Sequence, residues 1–261
     1  MIRPPATPFR IVAAAVLAIA ACLAGAGGAQ AEESPFANWA AVVISGDYHA
    51  HSGALSPAFD NARRDVSAAL LKLGFRRDHI AQFSSLPDGL PPGVKPAKID
   101  VISTEFQRMA ALAPNGCLIY FTSHGEPGSV TMSDQPLMAS GLASIVDSGR
   151  PASRPTVLII SACFSGSLIP TLSGPNRMIL TAARPDRSSF GCSESDKYPY
   201  FDACILQTLP KVDDFIALAA AARACVAEKE KAADMSPPSE PQVAVGAGLA
   251  PTLPFYGFGQ H

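Results

Sequence analysis

Short, wholly apolar segments alternate along this chain with longer segments in which apolar residues recur every three or four positions. The first kind is typical of strands buried on both faces of a parallel sheet, and the second of helices that pack one face against such a sheet. The clearest predicted strands are residues 40–46, 117–122, 156–160 and 178–181. The alternation therefore predicts an α/β fold with a mostly parallel central sheet.

Segments with helical spacing lie between these predicted strands and after the last of them. Apolar residues recur from Phe59 to Leu73 and stop at Gly74, and helices are also predicted at 99–112, 136–147 and 213–231. Two further strands are predicted, at 80–83 and, as an edge strand, at 242–245. The prolines and glycines of residues 86–96 predict an irregular segment.

The overall composition limits the class of partner. A chain of 261 residues is long enough to bury one large core, and we expect a single catalytic domain from residue 32 to residue 261. The formal net charge is -2 and no basic stripe is visible, which argues against nucleic acid and against an anionic membrane surface as partners. The oligomeric state is left open by the sequence.

The first 31 residues have the pattern of an export signal. Arg3 and Arg10 precede an apolar run at 11–23, and small residues follow up to Ala31. This predicts a signal peptide at 1–31 and an exported, periplasmic protein. Ile-Ala-Ala-Cys at 19–22 resembles a lipobox, so processing and lipidation at Cys22 remain an alternative, and a lipid anchor is the only membrane association that we expect.

Removal of the signal leaves an odd number of cysteines, in a compartment where spare thiols usually pair. They are Cys117, Cys163, Cys192, Cys204 and Cys225. At least one must stay outside the pairs, and a bridge among the last three is plausible because they cluster late in the chain. The spacing does not choose the connectivity.

Two reactive residues follow predicted neighbouring strands. His124 comes directly after the strand at 117–122, and Cys163 follows the strand at 156–160. A right-handed crossover makes such strands neighbours and brings their carboxyl ends to the same edge of the sheet. An imidazole beside a thiol can take its proton and later return one to a leaving amine, so the pair predicts nucleophilic catalysis by Cys163 with His124 as its partner.

Acyl transfer also needs hydrogen-bond donors for the developing oxyanion. The backbone N–H groups of Gly125 and Cys163 are the candidates, because glycine lets the main chain approach closely. We expect no cofactor and no metal. The sequence has no Gly-x-Gly-x-x-Gly after the first strand, no phosphate-binding Walker loop and no Cys-x-x-Cys redox pair.

The segments Tyr-Phe-Thr-Ser-His-Gly at 120–125 and Ser-Ala-Cys-Phe-Ser-Gly-Ser at 161–167 resemble the His and Cys motifs of the legumain family of caspase-like cysteine peptidases. The resemblance implies a caspase-like three-layer α/β sandwich and a dyad of His124 and Cys163. It also implies that Ser188, Ser189 and Phe190 run beside a bound peptide substrate. The likeness extends from Val42 to about Cys192.

Two positions differ from the family pattern. Ser161 stands where legumains have an acidic residue, and their basic Arg-His pair has only a loose counterpart in Arg63 and Arg64. These arginines either favour an acidic substrate side chain or are solvated on a helix flank. His49 and His51 lie in a loop where they either orient His124, bind a metal or do neither.

The function predicted from these observations is a cysteine endopeptidase that works through an acyl-enzyme and acts on peptides or proteins. Two alternatives are kept. One is a transpeptidase or transamidase, because the same family passes its acyl-enzyme to amines. The other is a peptide-binding module that keeps the caspase-like fold without catalysis, since a fold does not by itself fix a function.

Overall fold

The structure is a computed structural model that describes residues 1–2, 33–87, 89–133, 135–149 and 154–259. The predicted signal peptide and the lipobox lie outside the described residues, apart from Met1 and Ile2. Residues from Glu33 onward form one compact unit.

A seven-stranded sheet runs through this unit in the order β10-β9-β8-β4-β1-β2-β3. All its neighbouring strands are parallel except β10, which lies antiparallel to β9 at one edge. Its strands are β1 (Trp39–Ser45), β2 (Ile80–Ser84), β3 (Val94–Pro96), β4 (Gly116–Thr122), β8 (Thr156–Ser161), β9 (Arg177–Thr181) and β10 (Gln242–Val245). The predicted α/β fold with a mostly parallel sheet is confirmed.

Helices cover both faces of the sheet. They are α1 (Ala58–Lys72), α2 (Ile99–Leu112), α3 (Ala139–Ser148), α4 (Ile169–Leu172), α5 (Tyr200–Thr208) and α6 (Phe215–Ala232). Side chains of β1 alternate between two buried clusters: Trp39, Ala41 and Val43 pack with α1, α5 and α6, and Ala40, Val42 and Ile44 pack with α2 and α3. The result is a three-layer sandwich with an apolar core on each side of the sheet.

The central register sets where the functional groups meet. Thr122 at the end of β4 pairs with Ser161 at the end of β8, and Ser45 of β1 pairs with Thr122 on the other side. The N–H of Ser123 continues this ladder by donating to Ser161 O at 3.0 Å. Residues that follow Thr122 and Ser161 are therefore held next to each other at the carboxyl ends of the central strands.

Two sequence predictions of irregular or helical structure are wrong in part. The predicted helix at 136–147 begins only at Ala139, because the preceding residues form β7 (Gln135–Met138) in a small antiparallel sheet with β5 (Gly125–Glu126) and β6 (Ser129–Met132). The segment 86–96, predicted irregular, ends in β3, which pairs with β2 although it contains Pro96. Proline is tolerated there because β3 is an edge strand.

A disulfide joins α5 to α6 through Cys204 and Cys225, which agrees with the bridge considered plausible among the late cysteines. Cys117, Cys163 and Cys192 are free thiols. Within the described residues, no helix has the length and apolar character needed to cross a membrane.

Candidate active site

Cys163 sits in a tight turn directly after β8. Its side chain is buried, and the next residue, Phe164, adopts a left-handed conformation with φ of 55°, which is uncommon for a bulky side chain. The turn is held by its surroundings, because Phe164 N–H donates to Arg187 O at 2.8 Å and Ser167 Oγ donates to Phe164 O at 2.6 Å. A strained residue held in this way next to a thiol fixes where the thiol points.

His124 lies on the adjacent connection, two residues after Thr122. Gly125 brings this connection against the Cys163 turn: a side chain at Gly125 would place its Cβ 2.4 Å from Cys163 O. Only glycine permits so close an approach. The two residues singled out from the sequence are therefore held on touching segments at the carboxyl ends of β4 and β8.

The hydrogen bonding of His124 defines its tautomer. Nε2 lies 2.9 Å from the carbonyl oxygen of His49, and a carbonyl only accepts, so Nε2 carries the proton. Nδ1 is buried and has no hydrogen-bond partner among the described residues. A neutral His124 therefore presents an unshared electron pair on Nδ1, ready to accept a proton or bind a cation.

Aromatic groups enclose this imidazole. The Phe59 ring meets it edge-on at 5.0 Å between centroids, and the His51 ring lies 4.5 Å away. Burial lowers the pKa of His124, while the His49 carbonyl and the Asp47 carboxylate oppose the shift and His51 adds to it. The neutral form is favoured, which is the form that a general base requires.

The sulfur of Cys163 contacts one residue of the segment after β9. Ser189 N–H donates to Sγ at 3.3 Å, and Sγ lies 3.5 Å from both the carbonyl oxygen and Oγ of Ser189. The backbone N–H of Cys163 itself donates no hydrogen bond to a described residue. A thiol with only weak, long contacts and a neighbouring free N–H has room for an acyl group.

A cavity of about 570 Å³, a size typical of ligand sites, opens along the segment that contacts this thiol, and neither Cys163 nor His124 is among its lining residues. Ser188, Ser189 and Phe190 form part of its wall. His51, Cys192 and Glu194 line other parts of it. The described part of the chain thus has an open pocket where a peptide substrate is expected.

A buried carboxylate lies against the last residues of β4 and β8, on the face of the sheet that α5 covers. Sequence reasoning missed it. Asp202 is fully buried and accepts hydrogen bonds from Ser161 Oγ at 2.6 Å, from Thr122 Oγ1 at 3.0 Å and from the hydroxyl of Tyr120. Burial raises the pKa of Asp202 to about 6, although the three hydrogen bonds oppose that rise. The family pattern has an acidic residue at position 161. Here Ser161 stands at that position, and its hydroxyl donates to the carboxyl group of Asp202 in α5.

Several other candidates take structural positions. Arg63 is buried in α1, where it binds Asp60 and Gln82, and Arg64 pairs with Asp65 on the surface. Neither arginine lines the cavity beside Cys163. Cys117 is buried inside β4, and burial raises the pKa of its thiol to about 11, which suits an inert residue.

The histidines of the loop after β1 both approach His124, as one of the alternatives expected. The main chain of His49 accepts the imidazole proton, and the side chain of His49 lies 3.0 Å from Asp47. The side chain of His51 packs its ring against the His124 ring, with 4.5 Å between the centroids. Asp47 thus holds the main chain of this loop by accepting from the N–H groups of Tyr48 and His49, and it acts on His124 through its charge rather than by a direct hydrogen bond.

Comparison with known proteins finds a family whose model matches the segment that contains these residues. Residues 109–219, which include His124, Cys163 and Ser189, match the Peptidase C13 family. Over 91 residues the chain is 36% identical to a hemoglobinase from Schistosoma japonicum, a match that covers 33% of this chain and 21% of that protein. The chain thus spans about a fifth of this curated relative. The predicted legumain resemblance is confirmed.

A solved structure supports the fold. Caspase-1 from Spodoptera frugiperda shares 16% sequence identity with this chain and superposes with a TM-score of 0.56. The match covers 82% of this chain and 88% of the caspase chain. The caspase-like fold predicted from the sequence motifs is confirmed.

Proposed function

We propose that the chain is a legumain-type cysteine endopeptidase in which Cys163 is the nucleophile and His124 its acid-base partner. The match of residues 109–219 to the Peptidase C13 family and the caspase-like fold support this proposal. The observation that carries the proposal is the position of these two residues. They lie on touching segments after paired strands, one with a free thiol and the other with an unshared electron pair on a buried nitrogen.

In the first half of the reaction, His124 Nδ1 takes the proton from Cys163 Sγ as the sulfur attacks the carbonyl carbon of the scissile peptide bond. The carbonyl oxygen gains negative charge. The N–H groups of Cys163 and Gly125 are the proposed donors to it. The first of them is supported because Cys163 N–H has no other acceptor among the described residues.

The tetrahedral intermediate then collapses, and its C–N bond breaks. The imidazolium of His124 gives its proton to the departing amine, and a thioester remains on Cys163. Water attacks this thioester with His124 again as base, which releases the acid product and the thiol. An amine in place of water would give a transpeptidase, and only the products distinguish the two outcomes.

The substrate backbone is proposed to lie along Ser188, Ser189 and Phe190. This segment borders the cavity, and Ser189 already contacts the nucleophile through both its N–H and its carbonyl oxygen. A substrate N–H that bonds to Ser189 O would replace the contact with Sγ. The thiol would then be free to turn toward His124, so binding of the peptide and activation of the nucleophile are coupled in this proposal.

The test combines alkylation and cleavage. Iodoacetamide at mildly acidic pH, followed by intact mass and peptide mapping, is expected to label Cys163 first, and a peptide library is expected to be cleaved by the wild-type protein but not by Cys163→Ala. Cys117→Ala is the matched control, because it removes a free thiol that is buried inside a strand. Cleavage by purified Cys163→Ala at the wild-type rate would overturn the proposal, and uncleaved but bound peptides would favour the binding module.

We further propose that the protein is exported to the periplasm. The signal pattern at 1–31 supports this, and so does the Cys204–Cys225 disulfide, since such bridges persist mainly in oxidising compartments. Cell fractionation with N-terminal sequencing is expected to find a mature chain that starts at Glu32. A lipid-modified start at Cys22 would instead show membrane anchoring, and a cytoplasmic chain with its first residue intact would refute export.

A further inference from the structure

Three side chains in or next to the cavity combine nitrogen and sulfur ligands. His51 and Cys192 line the cavity, and His124 lies against His51. One ligand atom from each of His51, His124 and Cys192 lies within 4.8 Å of the other two. His51 is exposed, and the other two are half-buried. The proposed peptidase reaction uses only His124 of this group, so its mechanism does not explain why the other two gather there.

The free atom of His124 points to a ligand. Its Nε2 is committed to His49 O, whereas Nδ1 is buried and unpartnered among the described residues. A metal-binding histidine typically donates its other ring N–H to a carbonyl or carboxylate, which fixes the tautomer and raises the basicity of the ligating nitrogen. His124 is already arranged in this way.

The donor set selects the kind of cation. Two imidazoles and a thiolate suit borderline-soft ions such as Zn²⁺ and do not suit Mg²⁺ or Ca²⁺, which prefer oxygen. Ligands in tetrahedral zinc sites lie about 3.5 Å apart, given bonds of about 2.0–2.3 Å. From separations of at most 4.8 Å, the atoms would have to approach one another by at most ~1.3 Å, and His51 stands in an exposed loop.

We propose that His51, His124 and Cys192 form a binding site for Zn²⁺, and that the bound ion inhibits the proposed peptidase by occupying the electron pair on His124 Nδ1. The inhibition rests on the proposed function, whereas the binding does not. Three protein ligands leave the fourth position for water or an incoming group. With Nδ1 bound to the ion, His124 cannot accept the proton of Cys163.

The binding test uses the full chain with the nucleophile removed, so it needs no activity. Co²⁺ added to Cys163→Ala is expected to give the thiolate-to-metal absorption and the intense visible bands of a tetrahedral site, and Zn²⁺ is expected to displace them. The added change Cys192→Ser should abolish the thiolate band, and His51→Asn should weaken binding at least ~10-fold. Cys117→Ala, added to Cys163→Ala, should keep both signals.

The inhibition test compares each variant with its own zinc-free rate. Zinc is expected to inhibit wild-type peptide hydrolysis reversibly, with recovery on addition of a chelator, and Cys192→Ser and His51→Asn should each need at least ~10-fold more zinc for half inhibition. An unchanged thiolate band in the Cys192→Ser background would overturn the site. Equal zinc sensitivity of all variants would overturn the proposed inhibition. A wild-type protein without any zinc-free activity would overturn the peptidase, and the Co²⁺ spectra would still decide the metal site.

Discussion

Two polar clusters lie at the carboxyl ends of β4 and β8, and they differ in how completely their hydrogen bonds are made. The dyad cluster, His124 and Cys163, has a buried nitrogen without a partner among the described residues and a sulfur with contacts of 3.3–3.5 Å. The acid cluster, Asp202 with Tyr120, Thr122 and Ser161, directs three hydroxyl donors at one buried carboxyl group. Tyr120 and Thr122 of β4 precede His124, Ser161 of β8 precedes Cys163, and Asp202 reaches this cluster from α5.

Under the proposed function, the difference separates the groups that react from the groups that hold the carboxyl ends of these strands in place. A buried polar group without a partner costs free energy, so natural structures keep such groups mainly where chemistry needs them. A saturated cluster stabilises its elements and has no capacity left for a substrate. We therefore expect changes in the dyad cluster to affect rate, and changes in the acid cluster to affect stability.

The largest expected effect is on rate. His124→Ala should lower the rate of peptide hydrolysis by about 10³-fold, because a positioned acid-base group typically contributes 10²–10⁴-fold. Its effect on the free energy of unfolding should be limited to about 1 kcal/mol for the lost Nε2 hydrogen bond to His49 O, together with the ring contact with Phe59, because Nδ1 has no partner among the described residues.

His79→Ala is the matched control for this change. His79 is also buried, but its Nδ1 donates to Ala37 O at 2.9 Å, and it has no part in the proposed reaction. This variant should lose stability and keep its rate once folded. Equal effects of the two variants on rate would show that His124 has no special role in the reaction.

Asp202→Ala should give the largest loss of stability. It leaves three buried hydroxyl groups without their acceptor, and unsatisfied buried groups cost about 1–3 kcal/mol each, so a loss of about 3 kcal/mol in the free energy of unfolding is expected after the hydroxyls rearrange. Urea unfolding measures it. Asp186→Ala, at an exposed carboxylate, should change stability by less than about 0.5 kcal/mol.

The contrast also explains how much of the molecule can be predicted from its sequence. The strands β1, β4, β8 and β9 each have a continuous apolar run in their middle, which predicts them, and the regular apolar stripe of α2 predicts that helix with its observed bounds. The hairpin β5 to β7 was missed because its strands are only two to four residues long. The hydrogen bonds between these strands depend on tertiary contacts, which the periodicity of apolar residues in the sequence does not reveal.

The two clusters differ in the same respect. His124 and Cys163 follow recognisable strand ends, so topology alone brings them together. Asp202 lies in α5, 41 residues after Ser161, and nothing local marks its partners. The one available signal was an acidic residue between Phe201 and Cys204 on an otherwise apolar helix face, because a carboxylate placed among core residues must find donors.

The next effect is a dependence of stability on pH. The folded-state pKa of Asp202 is about 6, above its ordinary value of 3.8, so the folded protein holds this proton more tightly than the unfolded chain. The associated stabilisation is fully present below about pH 4 and is lost as the pH rises through about 6. Between pH 4 and pH 7 the loss is about 2 kcal/mol.

Asp202→Asn isolates this contribution, because an amide resembles the protonated acid and does not titrate. The difference in unfolding free energy between wild type and this variant should fall from pH 4 to pH 7. His124 contributes with the opposite sign, since its pKa is lowered on folding, but it is common to both proteins and cancels in the difference. A difference that is constant with pH would show that Asp202 stays ionised.

The smallest expected effect belongs to Ser161→Ala, and it decides to which cluster this position belongs. Loss of one donor to Asp202 should cost about 1 kcal/mol of stability and raise the pKa of Asp202 further, because the Ser161 hydroxyl opposes the effect of burial. Peptide hydrolysis should keep its rate and its KM, since Ser161 Oγ is directed to the buried acid rather than to the cavity. In legumains the acidic residue at this place belongs to the pattern around the nucleophile. A raised KM without a change in stability would therefore assign Ser161 to the substrate and not to the acid cluster.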